Sequence, residues 1–456
     1  MEVKVTSVDL VKPSSPTPLG LRTFKLSLLD QLIPMPYATT IFFYRPGCSI
    51  IRPRPHETLR ERLDLLKVSL SRTLCCFYPL AGRIRDGLFI DCDDGGVYYV
   101  EADVNVPLPQ FLEKPDLVLL RRLLPCDGSP VESSEDDTHT ANIQVNVFPC
   151  GGIAIGLCIS HMILDGVGLG GFMKEWAAEA RGGTRAAPPP GLMATAADLL
   201  PADNLSLKGP SMVMWGSLFK IGKWITRRFV FDRSAIDSLR ARGTGPNNKN
   251  PTRVEAISGF LWKCAVAAAS KRRKNDNGRP SFCVHMVNIR GRMDPPSPEV
   301  SLGNFLWMAS TKLKKVDPEQ IDVLPSLVSE LREAISSTDA QFLSRLRRDK
   351  EMMLGCFKEI SSRMEPKEGA DYFGFSSWCK FGHYEVDFGW GKPAWVSCVG
   401  LNEQAMLSNL VILIDTRSGD GIEAWVTLDE HDMALLKVDP EMQAFSSYDP
   451  NPLAMS

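Results

Sequence analysis

Residues 153–166 read IAIGLCISHMILDG and mark the passage from a predicted strand to a predicted helix. The apolar run Ile153–Ile159 is typical of a buried strand. From Gly166 to Arg181 the apolar side chains recur every three or four residues, which predicts a helix with one apolar side. His161 therefore leaves the end of a strand at a turn, which is where α/β proteins place reacting groups.

Periodic segments lie on both sides of this stretch. Leucines recur every three or four residues between Thr58 and Leu74, and Glu61 completes a capping box with Thr58, so a helix is predicted there. Pro149–Gly152 separates two β-rich runs and predicts a hairpin. Residues 410–414 and 423–428 predict a second hairpin near the end of the chain.

A proline-rich segment divides the chain. Residues 182–216 include Pro188–Pro190, Pro201 and Pro210, and prolines interrupt both helices and central strands. Helical and strand patterns are mixed on both sides of this segment. We therefore predict an α/β protein with an N-terminal domain at 1–181, a crossover linker at 182–216 and a C-terminal domain at 217–456.

The composition excludes several classes of protein. The 456 residues include 52 Lys and Arg against 54 Asp and Glu, which argues against a nucleic-acid partner. No run of 18 apolar residues predicts a membrane span, and the first residues show no secretory signal. Twelve cysteines without a C-x-x-C pair favour reduced thiols rather than a zinc ribbon. We expect a cytoplasmic enzyme without a metal site.

His161 and Asp165 are the first candidate catalytic residues. An imidazole, with an ordinary pKa near 6.5, is well suited to removing a proton at neutral pH. The alternative is a half-buried histidine that only packs at the strand end. Asp165 either forms a dyad with His161 or turns back to anchor an arginine.

The glycines that follow match a dinucleotide fingerprint. Residues 166–171 read GVGLGG and fit G-x-G-x-x-G. The fingerprint also requires an acidic residue at the end of a second strand about 20 positions on, where this chain has its proline run. Close packing of the helix is therefore the preferred interpretation.

A second motif reads DFGWGKP at residues 387–393. A kinase also contains D-F-G, but this chain has neither V-A-I-K nor H-R-D-L-x-x-x-N, which excludes a kinase. Two glycines around a tryptophan and next to a proline predict a tight, rigid loop with an architectural role.

With these two motifs in this order, about 220 residues apart, the chain resembles the plant BAHD acyl-CoA-dependent acyltransferases. Supporting matches are FYPLAGR at 77–83, NIRGRM at 288–293, Gly303-Asn304 and SSW at 376–378. Early and late strings, VKPSSPTP at 11–18 and SGDGIEAWV at 418–426, resemble the subgroup that contains vinorine synthase and salutaridinol acetyltransferase.

The resemblance implies two domains, each similar to chloramphenicol acetyltransferase, with a channel between them. CoA and the acceptor would enter from opposite faces. His161 would be the general base. Asp165, next to Gly166, would point away from the channel and pair with Arg290, and Asp387, Gly389 and Gly391 would form a structural loop. Thr252 and Lys263 are CoA-binding candidates by their position in the family.

Transfer to an alcohol requires removal of its proton and stabilisation of an oxyanion. His161 would supply the base, and the hydroxyl of Ser376 and the indole N–H of Trp378 are the candidate oxyanion donors. For Trp378, core packing is the alternative. The absence of G-x-S-x-G favours direct transfer in a ternary complex over an acyl-serine intermediate.

We therefore expect a monomer that transfers an acyl group, most simply acetyl from acetyl-CoA, to a hydroxyl or amine of a plant alkaloid or terpenoid. Acyl-CoA would be a co-substrate, with no bound cofactor. The alternatives are a catalytically silent metabolite-binding relative, a thioester hydrolase, and a benzoyl, tigloyl or hydroxycinnamoyl transferase. The string SLGNF at 301–305 departs from relatives that malonylate anthocyanins and makes that class unfavourable.

Overall fold

The computed structural model describes most of the chain. The described residues are 1–33, 37–46, 58–125, 139–183, 188–202, 215–218, 222–246, 248–272, 279–311, 314–315, 323–367, 369–398 and 408–454. Within the predicted linker, residues 184–187 and 203–214 therefore lie outside the described residues.

The strands, in chain order, are β1 (Val3–Val11), β2 (Thr23–Lys25), β3 (Tyr37–Tyr44), β4 (Arg83–Arg85), β5 (Phe89–Asp91), β6 (Val97–Val104), β7 (Ala141–Val147), β8 (Ile153–Ser160), β9 (Trp224–Phe231), β10 (Pro280–Asn288), β11 (Leu306–Ser310), β12 (Lys314–Lys315), β13 (Asp371–Ser377), β14 (Trp395–Cys398), β15 (Leu410–Asp415), β16 (Ile422–Asp429) and β17 (Ser447–Tyr448). They form a six-stranded sheet in the order β1-β6-β7-β8-β3-β14 and a larger second sheet in the order β11-β10-β13-β15-β16-β9-β17. Strand β12 pairs with β10 at the side of the second sheet, and β2, β5 and β4 form a small third sheet.

The α-helices are α1 (Leu28–Gln31), α2 (Leu59–Thr73), α3 (Leu108–Glu113), α4 (Gly166–Ala180), α5 (Ala196–Leu199), α6 (Arg233–Arg242), α7 (Arg253–Arg272), α8 (Val323–Ser336), α9 (Ala340–Arg348), α10 (Lys350–Met364), α11 (Glu430–Lys437) and α12 (Pro440–Phe445). Short 3-10 turns lie between them. The mixed α/β class predicted from the sequence is confirmed.

The first sheet is covered by α2 and α4, and its core follows the predicted patterns. The capping box of α2 forms as expected, because the Thr58 side chain accepts from the backbone of Glu61 while the Glu61 carboxylate accepts from the backbone of Thr58. Strands β7 and β8 form the predicted antiparallel hairpin, with Gly151 at φ 81° in the turn. Leu66 and Leu70 of α2 share one core with Trp176 of α4 and the buried side of this sheet.

The second sheet is buried on both faces. Successive residues of a strand point to opposite faces, so neighbours in β10 and β13 enter different cores. Cys283 and Phe373 pack with α7, α8 and α11. Phe282 and Tyr372 pack on the other face with α9 and α10.

Strand β14 crosses from the second half of the chain into the first sheet. Its residues pair antiparallel with β3, from Trp395 opposite Phe43 to Cys398 opposite Thr40. The first sheet therefore contains strands from both halves of the chain. The boundaries 1–181, 182–216 and 217–456 stay a prediction.

The described part of the predicted linker touches both halves. It contains the short helix α5, Thr195 bridges to Leu302, and the backbone N–H of Leu28 donates to the carbonyl of Leu200 at 3.0 Å. As to membrane insertion, no helix in the described residues is both long and apolar enough to cross a bilayer.

Candidate active site

His161 directly follows β8, which ends at Ser160, and its side chain is half-buried. The sequence placed it at a strand end next to a turn, and the structure agrees. Strand β8 is buried along its whole length, which fixes the position from which the imidazole projects.

A second loop runs alongside the His161 loop. Leu164 bridges to Gly303, and the backbone N–H of Gly303 donates to the carbonyl of Ile163 at 2.6 Å. Gly303 has φ 92°, and a Cβ there would lie 2.6 Å from the Cβ of Ala196. Glycine is therefore required here, and it brings Asn304 next to the histidine.

Asn304 contacts His161 twice, once at the imidazole and once at the backbone carbonyl. Its Oδ1 lies 3.0 Å from Nδ1 of His161, and its Nδ2 donates to the carbonyl of His161 at 2.7 Å. The same Nδ2 donates to Oδ1 of Asp30 at 2.9 Å. Nδ2 thus faces two groups that only accept hydrogen bonds at neutral pH, which settles the orientation of the amide.

The amide orientation decides which nitrogen of His161 is the base. Because Oδ1 of Asn304 can only accept, Nδ1 of His161 carries the proton of the neutral ring. The lone pair is then on Nε2, and Nε2 has no hydrogen-bond partner among the described residues. The arrangement offers a free imidazole nitrogen able to accept a proton.

Asp30 lies behind Asn304 and is buried, with 1% of its surface exposed. It belongs to a capping box at the start of α1, where Oδ2 accepts from the backbone N–H of Ser27 at 2.8 Å and from its hydroxyl at 2.6 Å. Oδ1 accepts from the backbone N–H of Asn304 at 2.6 Å. Burial raises the pKa of Asp30 to about 6, although the hydrogen bonds from Ser27 and Asn304 oppose the rise.

Asp165 turns away from His161 and pairs with Arg290, as the resemblance implies. Nη1 of Arg290 donates to Oδ2 of Asp165 at 2.6 Å, with side-chain exposures of 3% and 0%. Asp165 is also the N-cap of α4, because Oδ1 accepts from the backbone of Gly168 at 2.9 Å, and Oδ2 accepts from the backbone of Phe305 at 3.0 Å. It therefore fastens together the His161 loop, α4 and the loop before β11.

Burial would by itself raise the pKa of Asp165, but the Arg290 guanidinium and the hydrogen bonds outweigh burial and hold that pKa below its ordinary value. Within the described residues, Asp165 makes no hydrogen bond to His161. The dyad considered from the sequence is therefore wrong, and the arginine anchor is confirmed.

The glycines at the start of α4 serve close packing. A Cβ at Gly166 would lie 2.8 Å from the ring of Phe381 and 3.5 Å from Cδ1 of Trp378. One at Gly170 would lie 2.8 Å from the carbonyl oxygen of Phe381. The loop after β13 therefore lies directly against the helix, in agreement with the packing interpretation of the glycine string.

The two candidate oxyanion donors lie at the end of β13. Ser376 is half-buried in β13, between β10 and β15, and Trp378 is 8% exposed against Gly166. In the described part of the chain, neither the Ser376 hydroxyl nor the Trp378 indole N–H has a hydrogen-bond partner. Neither donor is thus committed to another described residue, and their catalytic role stays a prediction.

The DFGWG loop packs against the first half of the chain. Oδ1 of Asp387 accepts from the backbone of Gly389 at 2.7 Å and of Gly391 at 2.9 Å, and both glycines have φ 106°. Phe388 lies edge-on to Trp176, with ring centroids 5.1 Å apart. Trp176 is ten residues along α4 from Gly166, roughly 15 Å by helical rise, which agrees with an architectural loop remote from His161.

The structure does not bring Thr252 and Lys263 to one place. Thr252 caps the start of α7, where its hydroxyl accepts from the backbone of Glu255. Lys263 is eleven residues along the same helix, roughly 16 Å away, and its ammonium donates to Glu441 at 2.6 Å. Their assignment to CoA stays a prediction.

Sequence reasoning missed the roles of Asn304 and Asp30. Gly303-Asn304 was noted only as a family match, and Asp30 was not considered. The signal available was the capping-box spacing of Ser27 and Asp30, but nothing in the sequence connects that box to a loop 274 residues later.

Comparison with known proteins agrees with this geometry. The model of the Transferase family matches residues 1–443. Limonoid 7-O-acetyltransferase of Citrus sinensis is 39% identical over 464 residues, covering 99% of this chain and 100% of that protein. The chain belongs to this family of BAHD acyltransferases. Vinorine synthase of Rauvolfia serpentina is 35% identical over 443 residues, covering 96% of this chain and 97% of that protein.

The fold comparison gives the same result. The crystal structure of vinorine synthase superposes with a TM-score of 0.80 at 32% identity, covering 99% of this chain and 100% of that one. The predicted two-domain fold is confirmed by this match. As a family member the chain is an acyl-CoA-dependent acyltransferase, for which acyl-CoA is a co-substrate.

Proposed function

We propose that this acyltransferase moves an acetyl group from acetyl-CoA to a hydroxyl of a terpenoid of the limonoid class. Limonoid 7-O-acetyltransferase of Citrus sinensis and epi-neemfruitin B 7-O-acetyltransferase of Melia azedarach share 39% and 38% identity with the chain. Akuammiline synthase 2 of Alstonia scholaris and vinorine synthase share 33% and 35%. The higher identity to the two 7-O-acetyltransferases supports a limonoid hydroxyl as the acceptor.

The mechanism rests on the tautomer of His161. Nδ1 carries a hydrogen that Asn304 accepts, and Nε2 has no hydrogen-bond partner among the described residues. Nε2 takes the proton of the acceptor hydroxyl as the oxygen attacks the thioester carbonyl. When the tetrahedral intermediate collapses, the carbon–sulfur bond breaks and the proton on Nε2 passes to the CoA thiolate. General-base assistance of this kind contributes about 10²–10⁴-fold.

The developing oxyanion requires hydrogen-bond donors. The Ser376 hydroxyl and the Trp378 indole N–H are unpaired within the described residues and lie at the end of a strand whose following loop touches α4. A serine acyl-enzyme is not needed, since both substrates react directly in a ternary complex. We further propose that the enzyme is a cytoplasmic monomer, which light scattering and fractionation of tagged protein would test.

The test is incubation of the purified protein with acetyl-CoA and a panel of limonoid and alkaloid alcohols, with products identified by mass. We expect an acetylated limonoid from the wild type and a loss of at least about 10²-fold with His161→Ala. Benzoyl-, tigloyl- and hydroxycinnamoyl-CoA in the same panel test the alternative donors.

Two outcomes would favour the competing hypotheses. Release of free acetate at full rate without any acceptor would identify a thioester hydrolase. Binding of a metabolite without CoA, with no thiol released, would identify a silent relative. Near-wild-type turnover of His161→Ala would reject the base assignment.

A further inference from the structure

Asp30 lies on a different element from every residue assigned above, yet its carboxylate is linked to the base through a single side chain. Oδ1 of Asp30 accepts from both nitrogens of Asn304, at 2.6 Å from the backbone and 2.9 Å from Nδ2. Asn304 in turn touches both Nδ1 and the carbonyl of His161. The three residues form a continuous hydrogen-bonded line from α1 to the base.

We propose that Asp30 is a positioning residue that acts on His161 through Asn304 by fixing its proton-bearing nitrogen and stabilising its charged form. The proposal rests on the general-base function proposed above for His161. It concerns the negative charge of Asp30, which is linked to His161, whereas the Asp165–Arg290 pair holds the surrounding loops together.

The geometry supports the first part of this role. A carboxylate has no hydrogen to donate, so it forces the NH₂ of Asn304 toward itself and the oxygen of Asn304 toward Nδ1 of His161. If the amide turned over, its NH₂ would face Nδ1, and the neutral ring would then keep its hydrogen on Nε2. A ring in that form cannot accept the proton of the acceptor hydroxyl.

The charge distribution supports the second part. Within the described residues, no cation is among the hydrogen-bonding partners of Asp30, which are Ser27 and Asn304. Two other carboxylates lie on elements near Asp30: Asp165 is paired with Arg290, and Asp198, on the helix α5 that lies against α1, is exposed to solvent. Among the described residues, no hydrogen-bonded cation therefore balances the negative charge of Asp30 before the imidazole becomes positive.

The chain contains a matched control for this carboxylate. Asp198 forms the same capping box with Thr195 at the start of α5, with contacts of 3.0 Å to the Thr195 backbone and 2.9 Å to its hydroxyl. Helix α5 lies against α1. Asp198 is exposed, and in the described part of the chain it makes no hydrogen bond to Asn304, so Asp198→Asn reports the loss of a capping carboxylate alone.

Asp30→Asn tests the charge with little change of shape. The new amide can keep its oxygen toward Asn304 and turn its NH₂ toward Ser27, whose hydroxyl can rotate to accept. We expect kcat/KM to fall roughly 10- to 100-fold, a part of the general-base contribution. The KM for acetyl-CoA stays within about two-fold of wild type.

The pH profile separates positioning from a structural role. A nearby carboxylate favours the imidazolium, so its removal makes the protonated ring that forms during transfer less stable. In Asp30→Asn the plateau of kcat/KM then falls, and the acid limb changes because the titration of Asp30, whose pKa burial raises to about 6, is lost. Asp198→Asn should leave both limb and plateau unchanged. If Asp30→Asn lowers the plateau of kcat/KM but leaves the acid limb unchanged, the proposal is overturned.

A second measurement does not depend on activity or on the folding of Asp30→Asn. In ¹⁵N-histidine-labelled protein, long-range nitrogen–proton spectra report the tautomer of each of the six histidines, and His161→Gln identifies the signal. We expect hydrogen on Nδ1 of His161 in the wild type and a mixture of tautomers in Asn304→Ala. The same tautomer in both proteins would overturn the proposal, whereas an active His161→Ala would instead overturn the proposed function.

Discussion

Replacing Arg290 by methionine removes the cation that compensates Asp165. Both side chains are almost fully buried, so the carboxylate would keep its two backbone donors but lose its counter-charge. Breaking a buried pair by removing one partner costs about 3–5 kcal/mol. We expect Arg290→Met to lower the free energy of unfolding in urea by that amount, as followed by tryptophan fluorescence.

A matched variant separates stability from catalysis. Arg228 and Glu423 form another buried pair, at 3.2 Å with exposures of 0% and 3%, inside the second sheet. Arg228→Met should destabilise the protein by a similar amount while leaving kcat of the folded enzyme near wild type. Arg290→Met should lower both, because Asp165 fastens the loop that carries His161.

The double variant Asp165→Asn/Arg290→Met tests the reasoning most strictly. It removes both charges and keeps an amide oxygen for one of the two backbone donors, so it should be more stable than Arg290→Met alone, which leaves a buried unpaired charge. The reasoning is refuted if Arg290→Met lies within about 1 kcal/mol of wild type, or if the double variant is no more stable than the single one.

The pH dependence follows from the lowered pKa of Asp165. A carboxyl whose pKa is lower in the folded state stabilises the fold above its unfolded value of 3.8, and this contribution is lost as pH falls through the folded pKa. The difference in unfolding free energy between wild type and Arg290→Met should be complete at about pH 7. It should shrink as pH falls from the pKa of Asp165 in Arg290→Met, which lies above 3.8 because burial alone raises it, to the lowered pKa of the wild type.

Two further predictions concern the loop after β13 and the glycines. Trp378→Phe keeps most of the packing but removes the indole N–H, and Ser376→Ala removes a hydroxyl. Each variant should lower kcat about 10²–10³-fold with a small change in KM. If kcat is unchanged in one of them, that residue is not an oxyanion donor. Gly170→Ala places a methyl 2.8 Å from the carbonyl oxygen of Phe381 and should cost about 1–3 kcal/mol in thermal unfolding. Gly355→Ala, in open space on α10, should instead be neutral or stabilising by up to about 1 kcal/mol, and equal effects of the two alanines would contradict the packing argument.

Local signals made much of the fold predictable. The capping box of Thr58 and Glu61, the hairpin of β7 and β8, and the helix after Gly166 each depend on residues close together in sequence, and all three form. The Asp165–Arg290 pair was predicted from the family resemblance, because no local pattern connects two residues so far apart in sequence.

Contacts between distant segments could not be predicted in this way. The pairing of β14 with β3 joins segments about 350 residues apart, and β14 is only four residues long. The Asn304–His161 contact spans 143 residues and depends on the positive φ of Gly303. Periodicity reports which side of an element is buried, but not which remote loop lies against it.

Because β14 comes from the second half of the chain, the first sheet is completed only late in synthesis. The ribosome releases β3 and β8 more than 200 residues before Trp395, which is about 10–50 s at ordinary synthesis rates. Until then the outer side of β3 has unpaired backbone groups and can recruit another nascent chain. The DFGWG loop precedes β14, and its Phe388 packs on Trp176, so the loop and the strand both contact the first half of the chain. Fragments that end near the linker should therefore aggregate rather than fold.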